Sequence, residues 1–168
     1  MKSFKTLVCV SSFALCFGAA SMASAASIVR PGGPGPFETP NGTITIKTPS
    51  SFNQPIQCNM NFKGTVNADG TATITSMEKR AGGSALCGAP VMKGTWTLTA
   101  SSLTDGTITG VGFTVASIPA TNCGPSPVAG LWSNTTNTLT LNGSAVLSGG
   151  CTVTAMSIQP SPLLTVTP

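Results

Sequence analysis

The chain contains no histidine and no tyrosine, and only 7 % of its 168 residues are charged. Without histidine neither a Ser-His-Asp nor a Cys-His arrangement can be assembled, which closes the commonest routes to an activated nucleophile. The same absence, with no two cysteines near enough to form a knuckle, excludes a zinc site of the usual kind. No phosphate-binding loop and no cofactor fingerprint occurs. Acid–base chemistry would have to come from four carboxylates. Of these, Asp69 and Asp105 each precede a glycine in a turn signal, Glu38 lies in a proline-rich stretch and Glu78 adjoins Lys79 and Arg80. Turn chemistry or solvation accounts for each. The expectation is a non-enzymatic protein with no catalytic residue, no cofactor and no metal.

Charge is scarce as well as unclustered. A soluble domain is usually about a quarter charged, so Thr, Ser, Asn and Gly must wet this surface instead. Only Lys79 and Arg80 are adjacent among the basic residues, and a nucleic-acid surface needs more.

A long hydrophobic run is also missing. Lys2 and Lys5 precede an apolar stretch from Leu7 to Ala20 that Ser11 and Ser12 interrupt, short of the roughly 20 residues a membrane span requires. Ala23-Ser24-Ala25 follows as a small-residue cleavage site, so residues 1–25 read as a secretory signal peptide. The expected mature chain of 143 residues is exported, does not span a membrane, and carries six basic residues against four acidic ones.

Residues 26–42 form a leader rich in proline and glycine. Pro31, Pro34, Pro36 and Pro40 with Gly32, Gly33 and Gly35 preclude a helix or an inner strand, so an extended, partly mobile segment is expected. Residues 43–168 read as one β domain. Its organising stretch is Ile56 to Met77, which opens with Ile56, Cys58, Met60, Phe62, Gly64 and Val66 alternating with polar residues as a half-buried strand demands. Asn67-Ala68-Asp69-Gly70 supplies a tight reversal, and Thr71 to Met77 returns with Ala72, Ile74 and Ser76 on one face.

Further alternating runs lie at Thr43–Thr48, Thr95–Ala100, Thr107–Ile118, Asn137–Asn142, Ala145–Ser148 and Cys151–Ile158, with Asp105-Gly106 as a hairpin signal. Glu78–Ala85 and Pro119–Val128 read as loops. No window in the mature chain sustains a period of 3.6, and the pattern predicts an antiparallel β-sandwich or a partly closed barrel.

Cys9 and Cys16 leave with the signal peptide, and Cys58, Cys87, Cys123 and Cys151 remain. An even number in an exported chain reads as two disulfides, with three possible connectivities. Spacings of 29 and 28 residues favour Cys58–Cys87 and Cys123–Cys151. Trp96 and Trp132 each stand nine residues after a cysteine and two after a glycine, by coincidence, since Gly and Pro are common in loops, or as a trace of a duplicated turn-plus-strand unit. On either reading each Trp is expected to pack near a disulfide.

The opening Met1-Lys2-Ser3-Phe4-Lys5-Thr6-Leu7-Val8, then Gly18-Ala19-Ala20 and Ala23 to Val29, resembles the start of the small secreted bacterial alkane-oxidation activators of the PraB family. The likeness continues at Cys58, at Phe62-Lys63-Gly64-Thr65-Val66, at Cys87, at Cys123-Gly124-Pro125-Ser126-Pro127-Val128 and at Cys151-Thr152-Val153. It implies a non-enzymatic extracellular protein that promotes growth on long-chain alkanes, with no catalytic residues to carry over. Its partner would be a hydrocarbon surface or an apolar ligand. Two other classes compete: a pilin-like structural or adhesive subunit completed by a neighbour's strand, and a carbohydrate-binding module using Trp96 and Trp132 as platforms.

Overall fold

A computed structural model describes residues 26–84, 87, 90–116 and 120–168. The expected signal peptide, residues 1–25, lies outside the described residues.

Eight strands close a barrel. They are β3 (Gly42–Lys47), β4 (Ile56–Val66), β5 (Ala72–Gly83), β7 (Trp96–Ala100), β8 (Asp105–Val115), β9 (Thr121–Ser133), β10 (Thr138–Leu141) and β12 (Cys151–Ile158). Spatial order follows chain order, every pairing is antiparallel, and closure comes from β10 against β12 and β12 against β3. Of the two architectures expected, the barrel is the one formed, in the up-and-down topology that leaves no long crossover. Shorter strands lie outside the ring: β2 (Gly35–Glu38) on β4, β6 (Val91–Met92) on β8, and β11 (Ala145–Leu147) on β12. A separate pair joins β1 (Ser27–Val29) to β13 (Thr165–Thr167).

The alternation read in Ile56–Val66 holds throughout β4, whose even-numbered residues are all buried. Its partner departs from the expected face. Lys63 pairs with Ser76 but Gly64 pairs with Ile74, so Thr75 is an extra residue, and the bulge buries Met77 in place of Ser76. A similar irregularity between Val153 and Ala155 lets β12 bury Cys151 and Val153, then Met156 and Ile158. An eight-stranded barrel is just wide enough for side chains to fill. Here Trp96, Phe62 and Phe113 fill it, all at 0 % exposure, with the Phe62 and Trp96 rings 5.8 Å apart between centroids.

Three segments expected as irregular are strands, each for a local reason. The polar stretch Glu78–Gly83 continues β5, because β7 covers only Ala72–Ile74 and the rest of β5 has β4 on one side alone. Thr121–Val128 belongs to β9, although it contains Pro125 and Pro127. β10 reaches only Gly130–Ser133, so the proline-bearing part lacks that second ladder, and the shift in register between Val111 and Phe113 absorbs Gly124 and Pro125. The leader is extended as expected but tied down. Pro36 sits in β2, which has the β4 ladder on one side and on the other only a bridge from Glu38 to Ser161, and Phe37 lies opposite Gly64, where a β-carbon would strike the Thr73 carbonyl oxygen and the Phe37 ring. Asp105-Gly106 opens β8 and does not form the turn itself. The reversal is Ser101–Thr104, with the Ser101 and Ser102 amides donating to the Asp105 carbonyl.

Candidate functional site

The two ends of the barrel are built differently. The end bearing the β4–β5, β7–β8 and β9–β10 turns is covered by β1, β13 and the tail, and is called the clasp end here. Asn134 Oδ1 accepts from the Val166 amide at 2.8 Å while its Nδ2 donates to the Val166 carbonyl at 2.9 Å. Asn137 does the same for Leu164 and Pro160, at 2.9 and 2.8 Å. Two side-chain amides thus substitute for a strand partner and hold the tail across the opening. Beneath lies an apolar cavity of about 40 Å³ lined by Ile28, Phe37, Leu98, Trp132, Leu164 and Val166 among others. That is room for a water or two, and an apolar lining keeps such a space dry.

The opposite end carries both disulfides, paired as the spacings favoured: Cys58–Cys87 and Cys123–Cys151. Lys79 Nζ donates to the Cys87 carbonyl at 2.6 Å, fixing the crosslinked loop to β5. A cavity of about 340 Å³ opens here, lined among the described residues by Ile46, Ile56, Phe52, Pro90, Val115 and the Cys58–Cys87 bridge, with Thr48, Ser50 and Ser51 supplying hydroxyls. Its size is at the lower edge of ligand clefts. The loop between β3 and β4 shapes its rim. Thr48 Oγ1 accepts from the Ser51 amide, Ser51 Oγ accepts from the Thr48 amide, and the same hydroxyl reaches the Thr48 and Gln54 carbonyls. Phe52 follows with φ 53° and stands 89 % exposed. Pro49–Pro55 carries no apolar alternation, and a phenylalanine directly after Pro49-Ser50-Ser51 is the one signal of this rim in the sequence.

The tryptophans correct an expectation. Trp132 lies nine residues along β9 from Cys123, about 30 Å at a strand's rise, and lines the clasp-end cavity with its Nε1 donating to Asn134 Oδ1 at 2.6 Å. Trp96 packs on Phe62 in the barrel interior and donates to the Gly112 carbonyl at 3.3 Å. Phe62 is itself four residues, about 13 Å, along β4 from Cys58. Neither indole is a disulfide partner.

The carboxylates are scattered. Asp69 accepts from the Thr71 hydroxyl at 2.7 Å and its amide at 3.0 Å, and these bonds hold its pKa below the ordinary value. Asp105 accepts from the Ser102 and Thr104 hydroxyls, both at 2.8 Å, with the same consequence. Glu38 accepts from Asn61 at 3.2 Å, and Glu78 forms a 2.7 Å ion pair with Lys63. No cluster of metal-ligating side chains occurs among the described residues.

A pH dependence follows. A depressed aspartate contributes stability that is present above its unfolded pKa and is lost as pH falls through the folded one. Lys63 is raised, chiefly by its hydrogen bond to Glu78, so its contribution is present below its unfolded value and lost as pH climbs past it. With no histidine in the sequence and Cys58, Cys87, Cys123 and Cys151 oxidised, neither an imidazole nor a free thiol among the described residues adds a charge change in the middle range. Thermal melts should give a Tm that is level between about pH 5 and 9, with a shallow fall below about pH 4. A sharp step near neutrality would contradict this assignment.

A closed up-and-down barrel, disulfide-braced at one end and filled with apolar side chains, defines a crosslinked β protein of the kind made in oxidising compartments outside the cytoplasm. No helix among the described residues is long and apolar enough to cross a membrane. The chain belongs to the alkane oxidation protein activator PraA/PraB-like family, whose model matches residues 1–168. No curated protein and no solved structure matches it.

Proposed function

We propose that the protein is a secreted, non-enzymatic activator that promotes bacterial alkane oxidation and growth on hexadecane by acting at the oil–water interface. The observation that carries this reading is the display of large apolar side chains on a crosslinked barrel: Phe52 at 89 %, Val146 at 77 % and Val91 at 62 % exposure. Each 100 Å² of such surface moved out of water gains about 2.5 kcal/mol. The disulfides oppose unfolding on adsorption. Closure of the wall within one chain, through β10 and β12, supports a self-sufficient fold over a subunit completed by a neighbour's strand. Complete burial of Trp96 weakens the carbohydrate-platform reading.

Purified protein added to cells on hexadecane should shorten the lag, leave growth on a water-soluble carbon source unchanged, and lower interfacial tension in a cell-free emulsion. Changing Glu38, Asp69, Glu78 or Asp105 singly to the amide should preserve the growth effect in folded protein. Growth stimulation with no interfacial effect would reject the mechanism, and loss of activity in one folded amide variant would restore catalysis as a possibility.

A further inference from the structure

Charge is sorted along the barrel. All four acidic residues lie toward the clasp end or at mid-barrel: Asp69 in the β4–β5 turn, Asp105 opening β8, Glu38 opposite Lys63, and Glu78 paired with Lys63. With Arg30, Lys63 and Arg80, whose guanidinium reaches Asn41 at the start of β3, that portion nets −1, whereas Lys47, Lys79 and Lys93 give the disulfide-end portion +3. Lys47 closes β3 and Lys93 follows β6, and no carboxylate is within ion-pair range of either among the described residues.

Apolar tips accompany these cations. Thr152 pairs with Lys47 on one side and Val146 on the other, so the three stand in a row on the outer face. Gly150, in the turn before β12, has Pro49 within 3.3 Å of where a β-carbon would stand, which brings that turn against the Phe52 loop. Phe52 itself occupies the left-handed region, where a bulky residue is a genuine outlier. The hydrogen-bonded loop holds it there, pointing into water. An aromatic ring presented at a conformational cost, on the loop that follows the unpaired Lys47, fits a surface that is apolar within and anionic at its boundary.

We infer that the disulfide end docks on hydrocarbon droplets coated with long-chain carboxylates, with Phe52 and Val146 entering the apolar phase while Lys47 and Lys93 meet the headgroups. This rests on the interfacial reading above. Terminal oxidation of an alkane ends in such a carboxylate, which collects at the boundary between oil and water, so the coat is the one that alkane consumption itself produces.

The test measures binding of the protein to hexadecane droplets that are bare, carry hexadecanol, or carry palmitate, at alkaline pH and at low and high salt. Palmitate droplets should bind best at low salt. The preference should vanish at high salt, as the screening length falls from about 30 Å at 0.01 M to about 3 Å at 1 M. Each of Lys47→Gln and Lys93→Gln should weaken palmitate binding about fivefold and leave hexadecanol binding unchanged. Phe52→Asn should weaken binding to all droplets without lowering Tm, since asparagine tolerates the left-handed region. Leu163→Asn, at the clasp end, should change neither. Equal binding to palmitate and hexadecanol, or a loss with Leu163→Asn matching that with Phe52→Asn, would overturn the inference. So would tighter binding to phosphatidylglycerol vesicles than to palmitate droplets, which would assign this face to a membrane. Failure to adsorb even to bare hexadecane would instead remove the interfacial reading on which the inference stands.

Discussion

Changing Cys58 and Cys87 together to alanine is expected to lower the free energy of unfolding by about 3–4 kcal/mol, and Cys123 with Cys151 by a similar amount. The sequence separations are 29 and 28 residues, so in the chain-entropy account each crosslink removes a comparable loop from the unfolded ensemble. The native state adds a reason specific to this barrel. Beyond Ile74, β5 lacks β7 as a neighbour, and before Gly130 β9 lacks β10. Both bridges sit where the wall is thus thinned, one fastening β4 to the loop after β5 and the other fastening β9 to β12. A domain of this size holds only about 5–15 kcal/mol in all, so removing both pairs should leave little native population in mild denaturant. Urea titration of the oxidised protein and of each double variant measures the effect. A loss under about 1 kcal/mol for both pairs would mean that the hydrogen-bonded wall holds the mouth unaided.

Trp96→Ala carries the other large effect, about 3–5 kcal/mol. The side chain is fully buried, packs on Phe62 and donates to the Gly112 carbonyl. Its removal leaves a cavity in the middle of the barrel and strips that carbonyl of its indole donor. Trp132→Ala should cost distinctly less, because Trp132 is only partly buried beside a space that already exists. Thermal and urea unfolding of the two variants side by side decides the point. Equal losses would contradict the unequal burial and would revive the idea that the two Cys–Gly–Trp tracts are equivalent units.

That idea shows where sequence reading met its limit. Spacing alone made Trp96 and Trp132 look alike, yet β7 is 5 residues long and β9 is 13, so the same offset from a cysteine reaches an interior layer in one case and the far rim in the other. Strand alternation was legible wherever one face is buried against the core, as in Ile56–Val66 and Trp96–Ala100. It failed where a segment pairs on one side only, because polar residues and prolines are then tolerated in a strand, as at Glu78–Gly83 and Pro125. Bulges such as that at Thr75 leave no local trace, since they are set by the partner's register. The cysteine pairing was readable from separation. The inferred docking face was not, because Lys47 and Val146 come into one row only through Thr152, and the Phe52 loop meets the Gly150 turn only when β3 and β12 pair.

The clasp has a consequence for how the chain reaches this state. Ser27 to Val29 pairs with residues 165–167, so the strand ladder of the earliest strand of the described fold waits on a segment more than 130 residues later in the sequence. Contacts of such long sequence separation form late, because loop-closure entropy opposes them until the intervening structure is in place. The meander from β3 to β12 can assemble hairpin by hairpin as it emerges, while β1 has only the β4–β5 turn to meet, through the Ile28 amide and the Gly70 carbonyl. Completion is therefore signalled at one end of the barrel by the tail arriving over an opening that would otherwise expose Phe37, Leu98 and Trp132 to water.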